Sequence, residues 1–321
     1  MHRTSAAGKG SMSIAQYIRS SAGQQKCIIA AFIAIPLVLL FVFTYFPFGE
    51  MVGFSFYDMK YIGERKFVGL RNYADVLTRD DIFGALKLSL YYMAGSIVQL
   101  VLALYLATLL SFRTKCGDLF KGIMFFPFMI NGIAIGFIFK FFFTRGYVLD
   151  SVLGCLGIPL ESLPYWLKTR GLNNVMLVGT SLWRYLGQNM VLFIGAIMSV
   201  DPSLYEAAEI DGANKFQQFL HIILPSIRTI IMLNVILSIT GSLSAFEPPY
   251  VITSKGGNGT ATYFIIMDKI AHTSQKVGLA SAMAVFLLCL IFVVTIAQKL
   301  FFTYVFRNAS ADAAGTGGAA L

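Results

Sequence analysis

Six long apolar runs, separated by polar segments, set the pattern of this chain. A bilayer core of about 30 Å is crossed by about 20 residues of α-helix, and each run reaches that length. We therefore predict an all-α polytopic membrane protein with about six transmembrane helices between residues 27 and 304. The runs are residues 27–48, 84–110, 119–143, 175–198, 228–250 and 279–304.

Prolines and polar residues inside the runs are expected to face protein or water, because backbone groups cannot stay unpaired in lipid. Pro36 and Pro127 are candidate kinks. Pro248 and Pro249 are predicted to interrupt the fifth run and to release backbone carbonyls towards a cavity. The segment 49–83 is too polar to span the membrane.

A polar island of about 25 residues, 201–225, separates the fourth run from the fifth. Asp201 followed by Pro202 predicts a helix start, since a carboxylate accepts hydrogen bonds from free backbone N–H groups and proline is tolerated in the first turn. A short helix is expected over 204–210. Gly212 then predicts a sharp reversal into a second short helix, because glycine adopts a positive φ at little steric cost.

The composition agrees with a membrane protein. Of the 321 residues, 57% are hydrophobic and 13% are charged, whereas soluble domains carry about 25% charged residues. The net charge of +9 is spread along the connecting segments, which favours lipid headgroups over nucleic acid as a partner. The four cysteines have no CxxC or Cys/His spacing, and those in the apolar runs are predicted to be small buried hydrophobes.

The two ends of the chain are predicted to lie outside the membrane domain. Residues 1–26 are polar and basic without an acidic residue. They resemble a cytoplasmic tail more than a signal peptide, because the following run is too long and lacks a small-residue cleavage site. Residues 305–321 are predicted to be a disordered tail because they end in a Gly/Ala-rich stretch.

The polar island closely resembles the EAA loop of binding-protein-dependent ABC importer permeases. Glu-Ala-Ala at 206–208, Asp-Gly-Ala at 211–213 and a Leu-Pro ending have the spacing of that loop. In the family the loop is the coupling helix, which sits in a cleft of the cytoplasmic ATPase; the alternative here is an ordinary connecting loop. The resemblance implies these coupling residues: Glu206, Ala207, Ala208, Asp211, Gly212, Ala213, Leu224 and Pro225.

Other stretches are similar to sugar-importer permeases of the maltose and multiple-sugar type, so the resemblance covers about residues 27–304. One departure is Asn258, which follows a glycine pair where a proline is frequent in the family. The similar stretches are 67–73, Pro127 with Asn131, 146–150, 250–257 and 278–283.

The resemblance implies a permease subunit of an ATP-driven importer for a sugar or oligosaccharide, embedded in a bacterial inner membrane. The expected partners are a second permease, two cytoplasmic ABC ATPases, an extracellular or periplasmic solute-binding protein, a sugar and the bilayer, without nucleic acid. ATP and Mg are expected on the ATPase subunits, and no cofactor on this chain. The connecting segments expected on the inside carry no excess of lysine and arginine over those expected on the outside. The positive-inside rule therefore gives no orientation, and the N-terminus is placed in the cytoplasm because the loop must face the ATPase.

Two polar clusters inside the fourth and fifth runs are candidates for the substrate pathway, since sugars need hydrogen-bonding groups beside aromatic rings. Tyr185, Gln188 and Asn189 share one helix face, and Ser244 with Glu247 forms a matching stripe. Alternatively, Arg184 and Glu247 pair to hold the two helices together. The predicted pathway residues are Trp183, Tyr185, Gln188, Asn189, Ser242, Ser244, Phe246, Glu247 and Tyr250.

Enzyme and metal motifs are missing from the sequence. There is no G-x-x-x-x-G-K-[ST], no H-E-x-x-H and no G-x-S-x-G, so neither catalytic nor metal-binding residues are predicted. An ion-coupled secondary transporter is the alternative function. It would use carboxylates within the membrane and usually an internal repeat, but only Glu247 qualifies and no repeat is visible.

Overall fold

The computed structural model describes residues 21–112 and 116–316. The chain divides into two compact units, residues 1–54 and 55–321. In the first unit, helix α1 (Ser21–Leu40) continues through a π-helical turn (Phe41–Tyr45) into α2 (Phe46–Phe54). Of the predicted tail 1–26, residues 1–20 lie outside the described residues, and the remainder is already helical.

The second unit is almost entirely helical. Short 3-10 and π-helical turns at 160–162, 219–223, 257–259 and 269–273 join several of its helices. In chain order its elements are β1 (Tyr57–Asp58), β2 (Lys66–Phe67), α3 (Arg71–Thr78), α4 (Asp80–Ser111), α5 (Gly117–Met129), α6 (Gly132–Phe143), α7 (Val148–Cys155), α8 (Leu172–Met198), α9 (Pro202–Ile210), α10 (Lys215–Gln218), α11 (Leu224–Ser226), α12 (Arg228–Leu243), α13 (Glu247–Ile252), α14 (Tyr263–Asp268) and α15 (Val277–Thr316).

Helices α4 and α8 form the centre of this unit, because α4 packs against α8 and α12 while α8 also packs against α5. Small residues bring these helices together. Ala103 and Ala107 of α4 are fully buried in a cluster with Met190 and Phe193 of α8. Gly187 lies against the backbone of α5, where a side chain would collide with a carbonyl oxygen. Close backbone approach at small residues is the usual way in which helices associate in lipid.

Long apolar helices account for the predicted spans. Four described segments are long and apolar enough to cross a membrane: 24–54, 80–111, 228–252 and 277–304. Two bent helix pairs, α5 with α6 and α8 with α9, raise the number to as many as six. The expectation of an all-α polytopic membrane protein with about six spans is therefore confirmed.

The third apolar run is a broken helix rather than a straight one. Helices α5 and α6 meet at an angle of 97°. Pro127 lies near the end of α5, and the chain turns two residues after Met129, at Asn131. The Asn131 side chain accepts a hydrogen bond from the Ile133 backbone N–H at 2.9 Å and so caps α6. The predicted kink near Pro127 is therefore a full break, because the capped start of α6 fixes a new helix direction.

The polar segment after the first unit folds as a small hairpin and a helix. Strands β1 and β2 pair antiparallel. Asn72, on α3, donates hydrogen bonds to the carbonyls of Ser55 and Tyr57 at 2.8 and 2.9 Å. Gly278, at the start of α15, leaves room for the Tyr57 carbonyl. This segment thus packs on the N-terminal end of α15 and does not span the membrane.

The structure corrects two expectations. Helix α15 continues to Thr316, so residues 305–316 are not disordered; alanines at 309, 311, 313 and 314 favour helix more than any other residue. Residues 317–321 lie outside the described residues. Cys289, predicted to be a buried hydrophobe, is exposed on the isolated chain, because it lies on a face of α15 that the other described residues do not cover.

Candidate functional site

The polar island folds as predicted at its start. Asp201 accepts a hydrogen bond from the Ser203 backbone N–H at 2.9 Å, and Pro202 occupies the first turn of α9. This hydrogen bond holds the pKa of the Asp201 carboxyl below its usual range. The fourth span therefore ends and α9 begins within four residues, with a change of direction of 73°.

A Schellman motif ends α9 at Gly212. The backbone N–H of Ala213 donates to the carbonyl of Ala208 at 2.9 Å, and that of Gly212 donates to Glu209 at 3.1 Å. Gly212 has a φ of +76°, which side-chain-bearing residues adopt at a cost. The predicted reversal is thus present, with the glycine at the position where the motif requires a left-handed residue.

The second short helix of the island begins with a capping box. The Asn214 side chain accepts from the Gln217 backbone N–H at 2.9 Å, and the Gln217 side chain accepts from the Asn214 backbone N–H at 2.8 Å. Lys215 bridges back to Glu209 of α9 at 2.7 Å. These contacts fix the angle between α9 and α10 by local hydrogen bonds.

The island is anchored on one side and exposed on the other. Ile223 is fully buried among residues of α4 and α8, and Tyr205 packs against the same cluster. By contrast Leu204, Ile210 and Phe216 are 48%, 86% and 68% exposed. Among the predicted coupling residues, Ala208, Ala213 and Leu224 are half-buried, whereas Glu206, Ala207, Asp211, Gly212 and Pro225 are exposed.

A cavity of about 650 Å³ lies between α4, α8 and α12 and the start of α13. Such a volume is in the range of small-ligand sites, about 300–1,000 Å³. The two predicted stripes, one on α8 and one at Ser244 and Glu247, both line this cavity although they are far apart in the sequence. The predicted pathway residues that line it are Tyr185, Gln188, Asn189, Ser242, Ser244, Phe246 and Glu247.

Two predicted pathway residues do not line the cavity. Trp183 packs edge-on against Phe139, with ring centroids 5.2 Å apart. It precedes Tyr185 by two positions, and two helical positions differ by about 200°, so it points to the opposite side of α8. Tyr250 packs against Phe246 with the two rings tilted and their centroids 4.6 Å apart, and it does not line the cavity.

Arg184 and Glu247 form an ion pair with each other. The Arg184 side chain is 15% exposed, while that of Glu247 is 44% exposed and also lines the cavity. Gly132, the first residue of α6, lies so close that a Cβ atom there would collide with both charged groups. The pair therefore joins α8, α13 and the break in the third run, as the structural alternative predicted.

The interruption of the fifth run precedes the two prolines. Helix α12 ends at Leu243, and Pro248 and Pro249 lie in the first turn of α13. Pro248 and Pro249 lack the N–H groups that a continuous helix would direct to the carbonyls of Ser244 and Ala245, but proline is tolerated in a first turn, which explains the position of the break. The Ala245 carbonyl is not released towards the cavity in the way expected, because it accepts the Thr262 hydroxyl at 2.6 Å.

A third polar stripe, on α4, was missed by the sequence analysis. Tyr92, Ser96 and Gln99 line the same cavity and are 5%, 8% and 5% exposed. Their spacing of i, i+4 and i+7 places them on one helix face, and this periodicity within the run 84–110 could have revealed them. Ser181 of α8 and Asn234 and Ser238 of α12 complete the polar lining.

The chain is similar to known transport proteins. The family described as "Binding-protein-dependent transport system inner membrane component" matches residues 99–306. "Probable ABC transporter permease protein YurN" of Bacillus subtilis (strain 168) is 30% identical over 285 residues, covering 87% of this chain and 97% of that protein. "Multiple sugar-binding transport system permease protein MsmF" of Streptococcus mutans is 29% identical, covering 83% and 92%.

The fold also matches a solved structure. A chain from the crystal structure of a bacterial ABC transporter involved in the import of the acidic polysaccharide alginate aligns with a TM-score of 0.73 at 18% identity. The alignment covers 89% of this chain and 96% of the other. The helical arrangement described above is therefore an arrangement already seen in a membrane protein.

Proposed function

Since the chain belongs to the family of binding-protein-dependent transport system inner membrane components, we propose that it is one permease subunit of an ATP-driven ABC importer for a sugar or oligosaccharide. The observation that carries the proposal is the geometry of residues 201–225. Two short helices meet at a glycine reversal, and their apolar side chains are exposed while their base is anchored in the helical bundle.

The exposed side of this loop is suited to dock an ATPase. A polar connecting loop without a partner would not hold Ile210 86% exposed and Phe216 68% exposed on locally rigid helices. The sequence lacks the G-x-x-x-x-G-K-[ST] loop that holds nucleotide phosphates. ATP and Mg accordingly bind to two partner ATPase subunits, and this chain transmits their movement without an active site of its own.

The cavity supports a sugar as the transported solute. Hydroxyl and amide side chains line it together with two tyrosine rings and one phenylalanine ring, which is the mixture that sugar hydroxyls and ring faces require. The similarity to MsmF, named as a multiple sugar-binding transport system permease, points in the same direction. A second permease subunit, a solute-binding protein on the outer side and the bilayer of a bacterial inner membrane complete the assembly.

The energy source can be tested in proteoliposomes that contain the purified complex with its ATPases and binding protein. Uptake of a radiolabelled neutral oligosaccharide should require ATP on the ATPase side and should survive collapse of proton and sodium gradients. Uptake driven by an ion gradient without ATP would overturn the proposal in favour of secondary transport.

The orientation can be tested by labelling with a membrane-impermeant thiol reagent. Because Cys116, Cys155 and Cys289 are exposed on the isolated chain, the test needs a variant in which all four native cysteines are replaced. In that background we expect Thr78→Cys to be labelled from outside intact cells, and Ser203→Cys only after the membrane is opened. The reverse result would place the loop away from any cytoplasmic ATPase.

A further inference from the structure

The polar stripe on α4 contains hydrogen-bonding groups that the described part of the chain leaves without partners. The Tyr92 hydroxyl and the Gln99 Nε2 are both buried, and neither has a hydrogen-bond partner. Ser96, between them, is satisfied because its hydroxyl donates to the Met93 carbonyl at 2.9 Å. Buried polar groups in folded proteins are nearly always paired, so two unpaired groups on one helix face require an explanation.

Both unpaired groups belong to residues that line the cavity. Tyr92 and Gln99 are separated by seven positions, about two helical turns or 10 Å along α4. Between them Gly95 faces α8, where a side chain would collide with Val178. The close approach of α4 to α8 at this glycine holds the stripe beside Tyr185 and Gln188 of α8.

The charge of the lining restricts the ligand. Glu247 is the one ionisable acid or base of the described cavity lining apart from tyrosine, and it is already paired with Arg184. The remaining polar groups are hydroxyls and amides, which donate and accept hydrogen bonds without charge. No described lysine or arginine lines the cavity to neutralise an anionic ligand, and the half-exposed Glu247 carboxylate would repel one.

We propose that Tyr92 and Gln99 of α4 form a third binding wall of the cavity, where they hydrogen-bond the hydroxyl groups of an uncharged oligosaccharide or polyol. This inference rests on the proposed function and narrows it in two ways. It adds α4 to the helices that contact the solute, and it specifies a neutral solute rather than an acidic one. Because both atoms are buried, the solute satisfies them once the Tyr92 and Gln99 side chains turn towards the cavity.

The test uses the complete importer in proteoliposomes, with maltotriose and arabinotriose as neutral probes and an alginate trisaccharide as the acidic probe. Tyr92→Phe removes only the hydroxyl, and Gln99→Met removes the amide at nearly constant volume. Each should reduce uptake of the neutral probe at low concentration by about tenfold, because a solute hydroxyl is left unpaired. The yield of assembled complex should stay at the wild-type level.

Ser89→Ala is the matched control. The Ser89 hydroxyl, also on α4, is buried and has no hydrogen-bond partner among the described residues, but Ser89 does not line the cavity. If the effect came from any buried hydroxyl of this helix, Ser89→Ala would reproduce it; we expect uptake at the wild-type level.

The outcomes separate the two proposals. Import of a neutral probe by the wild type, with normal uptake in both Tyr92→Phe and Gln99→Met, would overturn the binding wall and leave the importer function standing. Preferred import of the alginate trisaccharide would overturn the neutral-solute inference. If the wild-type complex imports none of the three sugars in the presence of ATP, the proposed function fails, and the binding wall fails with it.

Discussion

The polar island and the cavity differ in how their residues come together. Residues 201–225 are positioned by contacts between near neighbours, such as the Schellman motif at Gly212 and the capping box at Asn214. The cavity instead brings together residues from 92 to 248, which only the packing of α4, α8 and α12 makes adjacent. Damage to the first region should therefore stay local, whereas damage to the helix contacts that form the second should spread to assembly.

The largest loss of folded protein is expected for Gly132→Ala. The added methyl group would collide with the Glu247 carboxylate and the Arg184 guanidinium, so the ion pair or the start of α6 must shift. Overpacking of this kind costs about 2–3 kcal/mol, against a helix propensity that favours alanine. We expect a lower unfolding temperature and less assembled complex in detergent.

Gly122→Ala is the control for that variant. Gly122 lies in α5, next to α6 along the chain, and a Cβ atom there meets nothing within 4 Å. Its unfolding temperature should equal or exceed that of the wild type. Equal stability of both variants would show that the structure around Gly132 accommodates a methyl group at no cost. The proposed difference between the polar island and the helix contacts around the cavity would then be wrong.

A smaller loss is expected when one member of the ion pair is removed. Glu247→Met leaves the Arg184 charge, at 15% side-chain exposure, without its partner. We expect a cost of about 2 kcal/mol, below the 3–5 kcal/mol of fully buried pairs because Glu247 is 44% exposed. Arg184→Met should cost less, since the remaining carboxylate can be hydrated from the cavity.

The double variant Arg184→Met/Glu247→Met distinguishes pairing from separate roles. If the two side chains act as a pair, the double variant regains most of the stability that Glu247→Met loses. Additive losses in this cycle would mean that the two side chains contribute independently, and that the pair does not hold the helices together.

The smallest loss of folded protein is expected for Gly212→Val, although its functional effect is large. Valine at a φ of +76° strains the turn by about 1 kcal/mol, the low end for such strain, because an exposed turn can relax without disturbing the bundle. Solute-stimulated ATP hydrolysis should fall while insertion and assembly persist. Normal stimulated hydrolysis would refute the coupling role of the loop.

Gly157→Val tests whether strain alone explains that result. Gly157 is exposed, has a φ of +88° and likewise has nothing within 4 Å of a Cβ atom, but it lies in the segment between α7 and α8. Strain comparable to that in Gly212→Val should leave stimulated hydrolysis unchanged.

The difference between local contacts and contacts made by helix packing also explains which features could be predicted from the sequence. The helix start at Asp201 and the reversal at Gly212 depend on local backbone chemistry, and both are confirmed. The shared cavity of Gln188 and Glu247 was predicted from helix periodicity and family resemblance together. The stripe at Tyr92 was missed because a polar face in one helix acquires meaning only when its neighbours are known.

Residue type is a weaker guide than position along the helix at Trp183. Its chemistry suits a sugar pathway, but its position on α8 directs it to Phe139. The interruption of the fifth run, by contrast, follows from Pro248 and Pro249, and it lies directly before them.

The break between α5 and α6 affects the order in which the spans can insert into the membrane. At 1.5 Å per residue, the 13 residues of α5 and the 12 of α6 reach about 20 and 18 Å, so neither crosses a hydrocarbon core of about 30 Å alone. The groups that enclose the break, Arg184 and Glu247, are synthesised 50 or more residues later than Gly132. We therefore expect the third segment to insert stably into the membrane only after α8 and α13 have been synthesised.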